Sequence, residues 1–173
     1  MKNPKWGILS AALVLASTST IVAQNAPQAV NIPNDVIQAI AKKGAGDEII
    51  RMINAGPTNL GVAVLQYKKG ARAEVSGIEH SDVAEVYYVL HGEGTMITGG
   101  TIENGKQVPA ESAAAKVAGP TTTGPAKGTV SRKIGPGDVI IVPVNTPHYT
   151  VDVTSDIAFL IVRVDPHKVM ELK

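Results

Sequence analysis

The chain has 173 residues, with 16 Lys and Arg against 15 Asp and Glu, and a formal net charge of +1 at pH 7. This balance gives no electrostatic reason to expect nucleic acid as a partner. The absence of cysteine excludes disulfides, iron–sulfur clusters and thiolate catalysis. The length predicts one domain, and because aromatic residues are few its core must be built from Val, Ile, Leu and Ala.

The first 23 residues have the pattern of a secretory signal peptide. Lys2 and Lys5 precede an uncharged stretch whose most apolar part, residues 8–16, is too short to span a bilayer comfortably. Ala23 is a suitable last residue before cleavage. The sequence therefore predicts an exported protein, periplasmic or extracellular, with no stable membrane anchor. An uncleaved membrane anchor is the alternative.

The rest of the chain predicts a β protein preceded by one helix. Residues 24–46 predict a polar arm and a short helix, and residues 47–173 predict a β-barrel or sandwich because many short strands follow at close intervals. Within this part, residues 106–130 are rich in Ala, Gly, Pro, Ser and Thr, which predicts a long exposed loop, either a flexible insertion or a lid over a pocket. The predicted strands are 48–54, 59–68, 73–80, 84–91, 94–100, 131–134, 138–143, 148–153 and 157–165.

His80 and Glu85 form the first chemically notable pair. Side chains alternate along a strand, so one straight strand would direct them to opposite faces. Ser81 and Asp82 between them favour a turn. A corner at this point lets His80 end one strand and Glu85 begin the next, with both side chains in the same space. Tyr87 shares the face of Glu85.

His148 is the third candidate ligand. It follows the turn sequence of residues 143–147, in which two prolines and an asparagine fix the direction of the next strand. Two imidazoles and a carboxylate suit one divalent transition metal ion, Fe, Cu, Mn or Zn, and leave coordination positions open. Each residue also has a simpler interpretation: a surface-corner His80, a turn-capping His148 and a solvated Glu85. A metal-free pocket that uses the same groups for acid–base chemistry or hydrogen bonding stays open.

Two segments resemble the motifs of the cupin superfamily, G-x5-H-x-H-x3–4-E-x6-G and G-x5-P-x-G-x2-H-x3-N. Residues 80–92 match the second half of the first motif, and residues 137–152 match the second motif. The resemblance implies an all-β, cupin-like jelly-roll β-barrel with a short N-terminal helix. It also implies that the metal ligands are His80, Glu85 and His148.

Three positions depart from these motifs. Ile78 stands where the first motif histidine falls, Asn145 replaces the glycine of the second motif, and Asp152 replaces its final asparagine. A four-ligand site is therefore not expected, and another group would complete the shell. The candidates for that role are Asp82, Gln66 and Tyr67.

The family that these motifs resemble includes dioxygenases, decarboxylases, isomerases, lyases and non-catalytic binders, so the fold does not determine the reaction. We expect a metal-dependent oxidoreductase, with Fe or Cu and O2-type chemistry, acting on a small organic or carbohydrate-derived substrate. One alternative is a metal-assisted lyase or isomerase in which Glu85 or Tyr87 moves a proton. Another is a non-catalytic small-ligand binding protein. The resemblance also implies a homodimer.

The remaining charged residues within the strands carry weaker expectations. Arg51 and Arg163 lie in apolar strands, where they would either reach a barrel mouth or face outward into solvent, and the outward position is favoured. Three further residues are expected at the surface: His91, Glu93 and His167.

Overall fold

Runs of β-branched and other apolar residues, separated by Gly, Pro and Asn, give this chain its strands and turns. The structure is a computed structural model that describes residues 28–44, 46–71 and 76–173. The predicted signal peptide, residues 1–23, lies outside the described residues. No helix in the described ranges is long and apolar enough to cross a membrane.

The chain divides into two units, Met1–Asn31 and Ile32–Lys173, and all helices and strands of the described residues lie in the second. The helices are α1 (Asn34–Ala41) and α2 (Ala113–Ala118). The strands are β1 (Gly46–Asn54), β2 (Asn59–Tyr67), β3 (Gly77–His80), β4 (Ala84–His91), β5 (Gly94–Thr98), β6 (Thr101–Ile102), β7 (Lys106–Gln107), β8 (Thr121–Gly124), β9 (Ala126–Lys127), β10 (Val130–Ile134), β11 (Val139–Val142), β12 (His148–Val151) and β13 (Ile157–Asp165).

The strands form two main sheets and one small one. The five-stranded sheet has the order β1-β2-β13-β4-β11, and the six-stranded sheet has the order β10-β5-β12-β3-β8-β7. Strands β6 and β9 pair separately. All pairs in the described part of the chain are antiparallel. The predicted all-β jelly roll is confirmed.

The main core consists of side chains that both sheets direct inward. The five-stranded sheet contributes Tyr87 and Phe159, whose rings meet edge to face with centroids 5.6 Å apart. The six-stranded sheet contributes Met96 and Ile134. Because neighbouring side chains of a strand point to opposite faces, the inward positions of β13 continue from Phe159 through Ile161 to Arg163.

The predicted N-terminal helix is present as α1. It covers part of the outer face of the five-stranded sheet, where Ile40 and Ala41 pack with Val64 and Ala158. Apolar positions at helical spacing thus bury one stripe of a short helix against the sheet.

The segment 106–130 is not the long exposed loop that its composition predicts. It contains β7, α2, β8 and β9, and β8 pairs with β3 over all four of its residues. Ser112 caps α2 by accepting a hydrogen bond from the backbone N–H of Ala115 at 3.2 Å. Composition misses this structure because backbone pairing and capping do not need large apolar side chains.

Gly92, in the turn between β4 and β5, provides a test of backbone packing. It has a φ of 84°, and a Cβ there would lie 2.1 Å from the carbonyl oxygen of Asp156. Gly99 has a similar φ of 82° but nothing within 4 Å of its Cβ position. We expect Gly99→Ala to lower the free energy of unfolding by about 1–2 kcal/mol and Gly92→Ala by roughly 3–5 kcal/mol. Urea denaturation measures both, and equal losses would contradict the clash.

Candidate metal centre

The corner between β3 and β4 brings His80 and Glu85 together. His80 ends β3 in the six-stranded sheet, and Glu85 is the second residue of β4 in the five-stranded sheet. Residues 81–83 make the crossing as a bend. The predicted corner is therefore present, and both side chains enter the space between the sheets.

The turn before β12 positions His148. Asn145 has a φ of 54°, in the left-handed region that glycine and asparagine tolerate best, which accounts for asparagine at a motif glycine. The backbone N–H of Asn145 donates to the carbonyl of His80 at 2.8 Å. His148 then begins β12 opposite Ile78 of β3. One turn thus ties the two histidine-bearing segments to each other.

The three predicted ligands converge. Each offers a ligand atom, and these atoms all lie within 4.8 Å of one another. Glu85 Oε2 is 3.2 Å from His148 Nε2 and 3.6 Å from His80 Nε2. All three residues are buried, with exposed fractions of 4% or less. The structure therefore contains a site that can hold a metal ion.

Hydrogen bonds determine which ring nitrogen of His80 carries the proton. His80 Nδ1 lies 2.9 Å from Thr121 Oγ1, and Thr121 donates its single hydroxyl proton to the carbonyl of Gly119, also at 2.9 Å. Thr121 Oγ1 must therefore accept from His80 Nδ1–H. Burial lowers the pKa of His80 to about 4, so the ring is neutral near pH 7 and Nε2 presents a lone pair.

The same reasoning applies to His148. Its Nδ1 lies 3.0 Å from the carbonyl oxygen of Thr146, which can only accept, so Nδ1 is the donor. The other ring nitrogen, Nε2, is buried and has no hydrogen-bond partner. Two imidazole nitrogens and one carboxylate oxygen thus face each other. This donor set fits a divalent transition metal ion.

Glu85 is fixed through both carboxylate oxygens. Tyr87 donates its hydroxyl to Oε2 at 2.7 Å, and Arg163 Nε donates to Oε1 at 2.8 Å. Arg163 Nη1 also donates to Asp47 at 3.1 Å, and its Nη2 forms a second bond to the same carboxylate. Burial acts to raise the pKa of Glu85, but its contact with His148 and the charge of Arg163 outweigh burial, so the pKa lies well below its usual range. The carboxylate is therefore charged near neutral pH.

The outward position favoured for Arg163 is wrong. Arg163 is 1% exposed and is paired in register with Glu85, on the inward face of β13. Two carboxylates compensate for the loss of hydration of the guanidinium, which alone would be costly to bury. The alternation of side chains along β13 indicates the inward position of Arg163, because Arg163 follows Phe159 and Ile161 at intervals of two residues. Arg51 is exposed, as favoured for it.

Tyr87 is a hydrogen-bond donor in this site. It is 3% exposed, and burial together with the charge of Glu85 raises its pKa well above 10. The phenol thus stays protonated at neutral pH and supports Glu85 from the side of the core. Its ring also meets that of His148 with centroids 5.9 Å apart.

Of the groups considered to complete the ligand shell, only Tyr67 faces the site. Asp82 is bonded to Ser81 and lies 2.8 Å from Nδ1 of His167 at the surface. Gln66 is buried, but it faces the other side of β2 and accepts from the backbone N–H of Gly44 at 2.7 Å. The strand alternation directs odd positions of β2 inward, so Tyr67 lines the cavity and Gln66 does not.

The other histidines and Glu93 lie away from the ligands. His167 is exposed, and Glu93 is exposed in the turn before β5. His91 is half-buried at the end of β4, with Nδ1 3.2 Å from the carbonyl oxygen of Asp156.

A cavity of about 510 Å³ opens onto the three ligands. Its walls combine both sheets with α2, which contributes Val117 and Ala118. Ile78 also lines it, on the same face of β3 as His80. The segment 106–130 therefore supplies one wall of the cavity and, through Thr121, the partner of a ligand.

The sequence matches the family described as Cupin over residues 58–172. The chain belongs to the cupin family. The match includes the positions of all three predicted ligands, His80, Glu85 and His148. No curated protein matches this cupin.

Several solved structures are similar in fold. The Bacillus halodurans protein BH2720 is 16% identical over 87% of this cupin and 89% of that chain, with a TM-score of 0.49. KdgF from a Halomonas species is 17% identical over 70% and 80%, with a TM-score of 0.40. The lyase DddQ for DMSP from Ruegeria pomeroyi is 18% identical over 63% of this cupin, which spans 40% of that chain, with a TM-score of 0.40. These likenesses concern the fold alone.

Thr121 can be tested as the partner of His80. Thr121→Val removes the hydroxyl and leaves His80 Nδ1–H buried without an acceptor. We expect the affinity for Mn(II) to fall roughly 10- to 100-fold, because the imidazole loses the group that orients it. Thr121→Ser keeps the hydroxyl and should bind Mn(II) as the parent protein does. Titration calorimetry measures both, and equal affinity of the valine variant and the parent would contradict this role.

His80 also predicts a pH dependence in chelator-treated protein. An unfolded histidine titrates near 6.5, whereas burial lowers the pKa of His80 to about 4 in the folded state. Between these values only the unfolded state binds the proton, so stability present above pH 6.5 is lost as the pH falls toward 4. We expect the free energy of unfolding, measured by urea denaturation, to fall by about 1.4 kcal/mol per pH unit in this range. His80→Gln should show a smaller slope, and an unchanged slope would refute the assignment.

Proposed function

We propose that this cupin is a metal-dependent oxidoreductase that uses O2-type chemistry on a small organic or carbohydrate-derived substrate. The observation that carries the proposal is the convergence of two imidazole nitrogens and one charged carboxylate, all buried, in the wall of the cavity. Two histidines and one carboxylate with open positions are the ligand set of non-haem Fe(II) oxygenases. Iron is therefore the favoured ion, and Cu, Mn and Zn are the alternatives.

The residues have distinct roles in this proposal. His80 and His148 would hold the ion through Nε2, and Glu85 would hold it through a carboxylate oxygen. When bound, the ion supplies redox or Lewis-acid chemistry to the substrate. Tyr87 and Arg163 keep the carboxylate in place and charged. Burial of all three ligands limits access of water to the reacting end of the cavity.

Ile78 supports open coordination positions. Its side chain stands where the resemblance would place a further histidine, and it cannot ligate a metal. The position that a further histidine would occupy would therefore be left to exogenous molecules. Dioxygen and a substrate both need such positions in a non-haem iron site.

A metal-assisted lyase or isomerase is the second candidate, and Tyr67 favours it. Tyr67 lines the cavity, and its hydroxyl makes no hydrogen bond within the described part of the chain. Burial, with Asp47 and Glu85, raises the pKa of Tyr67 to about 12. The phenol thus stays protonated at neutral pH and can donate a proton to a substrate oxygen, as elimination or isomerisation requires.

Export and pairing belong to the same proposal. Residues 1–23 have the signal-peptide pattern, so the protein would act in the periplasm or outside the cell.

The edge strand β11 has two exposed apolar side chains, Val139 (60% exposed) and Ile141 (71% exposed). Because exposed apolar edge strands need a cover, pairing with a second copy at this edge supports a homodimer. Sedimentation analysis of Ile141→Lys against the parent protein measures this pairing.

Metal content is the first experimental test. We expect one Fe, Cu, Mn or Zn ion per purified chain, and we expect His148→Ala to lose at least tenfold in metal affinity because one of three ligands is removed. Elemental analysis and a thermal-shift titration with Fe(II), Mn(II), Cu(II) and Zn(II) measure this. His167→Ala is the matched control, since its ring lies at the surface.

Oxygen uptake then separates the candidate reactions. An oxidoreductase consumes dioxygen in step with substrate loss, whereas a lyase or isomerase converts substrate without it. A protein that contains no metal and shows no thermal shift with any of the four ions would contradict both enzymes and favour a non-catalytic binder. Unchanged metal content in His148→Ala would refute the ligand assignment.

A further inference from the structure

We infer that the cavity binds a small, mainly apolar molecule with one polar end, and that Ile78 is a specificity-determining contact for it. The inference rests on the proposed function, because the bound molecule is the proposed substrate. It narrows the substrate class from small organic or carbohydrate-derived molecules to alkyl or aromatic compounds that carry a single oxygen-bearing group.

Apolar atoms form most of the surface of the cavity wall. They come from both sheets and from the segment that contains α2, so the apolar surface surrounds the bound molecule from several sides. A ligand with an apolar body gains free energy by leaving water for such a wall, in proportion to the apolar area that it buries. The side chains include Leu65, Ile78, Met96, Val108, Val117 and Ala118.

Most polar groups of the wall are already engaged within the protein. Thr121 and Thr123 donate to the carbonyls of Gly119 and Gly77, and Thr150 Oγ1 lies 3.5 Å from the sulfur of Met96. Hydroxyls without a protein partner in the described wall belong to Tyr67, Ser76 and Tyr149. A carbohydrate would bring many hydroxyls to a wall with few free partners, and each unpaired hydroxyl would weaken binding.

The wall also provides no free cation within the described residues. Arg163 is the only Lys or Arg that lines the cavity there, and its guanidinium is bonded to Glu85 and Asp47. Phosphates and multiply charged carboxylates are recognised by Arg or Lys with donors to spare. Apart from a bound metal ion, the wall therefore offers no positive charge that would recognise a phosphate or a multiply charged carboxylate.

Ile78 is the apolar residue most directly associated with the ligands. It precedes His80 by two positions on the same face of β3, and it is the register partner of His148 in β12. A molecule that occupies the open side of the site would thus contact aliphatic carbon in place of another imidazole. The replacement of the motif histidine changes a ligand position into a substrate contact.

Methyl NMR of the full chain as purified tests this inference. Benzyl alcohol and methyl glucoside are the two probes, and the titrations are repeated after chelator treatment so that binding is measured apart from metal content. We expect saturable shifts of the Ile78 and Val117 methyl resonances with benzyl alcohol, and at least tenfold weaker binding of methyl glucoside. Equal or tighter binding of the glucoside at these methyl groups would overturn the inference.

Substitution of Ile78 tests whether its side chain contacts the bound molecule. Ile78→Ser should weaken binding of benzyl alcohol about five- to tenfold, since apolar area is lost from the wall. Leu172→Ser, which alters a leucine that is 60% exposed near the C-terminus and away from the cavity, should leave it unchanged. Val117→Ser on α2 tests the same wall if Ile78→Ser does not fold. Unchanged binding in both wall variants would refute the inference, whereas failure of oxygen uptake would affect only the proposed reaction.

Discussion

The carboxylate of Glu85 is the group on which the site depends, because a charge that is 1% exposed has to be compensated on every side. Arg163 and Tyr87 do so from the five-stranded sheet, and the imidazoles of His80 and His148 approach from the six-stranded sheet. The two sheets thus meet through polar side chains at one end and through apolar packing elsewhere. This requirement explains why a guanidinium is tolerated in an otherwise apolar strand.

Sequence patterns predicted most strands because they are short runs between turn residues, but they did not predict β6 to β9. They also predicted that His80, Glu85 and His148 meet, since the corner at residues 81–82 resolves their spacing. The groups that support these ligands were not predicted. Arg163 was predicted to face outward because charged side chains are usually solvated, although the alternation of side chains along its strand indicates an inward position. Thr121 lies in a segment whose small residues give no periodic signal, and its role comes from pairing with β3.

Two of the three departures from the cupin motifs have different physical meanings. Asn145 keeps the function of the motif glycine, because asparagine also tolerates a φ of 54° and the turn is preserved. Ile78 does not keep the function of a histidine, since it has no lone pair to offer. One substitution is neutral for the backbone, whereas the other changes the chemistry of the cavity while leaving β3 paired as before.

The hydrogen-bonded series from the carbonyl of Gly119 through Thr121 to His80 has a consequence for how this fold can diversify. Gly119 directly follows α2, so the cavity wall and the partner of a ligand are a few residues apart on one stretch of chain. A relative that exchanged this stretch to accept a different molecule would exchange the support of His80 at the same time. A change in this stretch can therefore alter which molecule the cavity accepts without altering the affinity for metal, provided that a hydroxyl is kept at position 121.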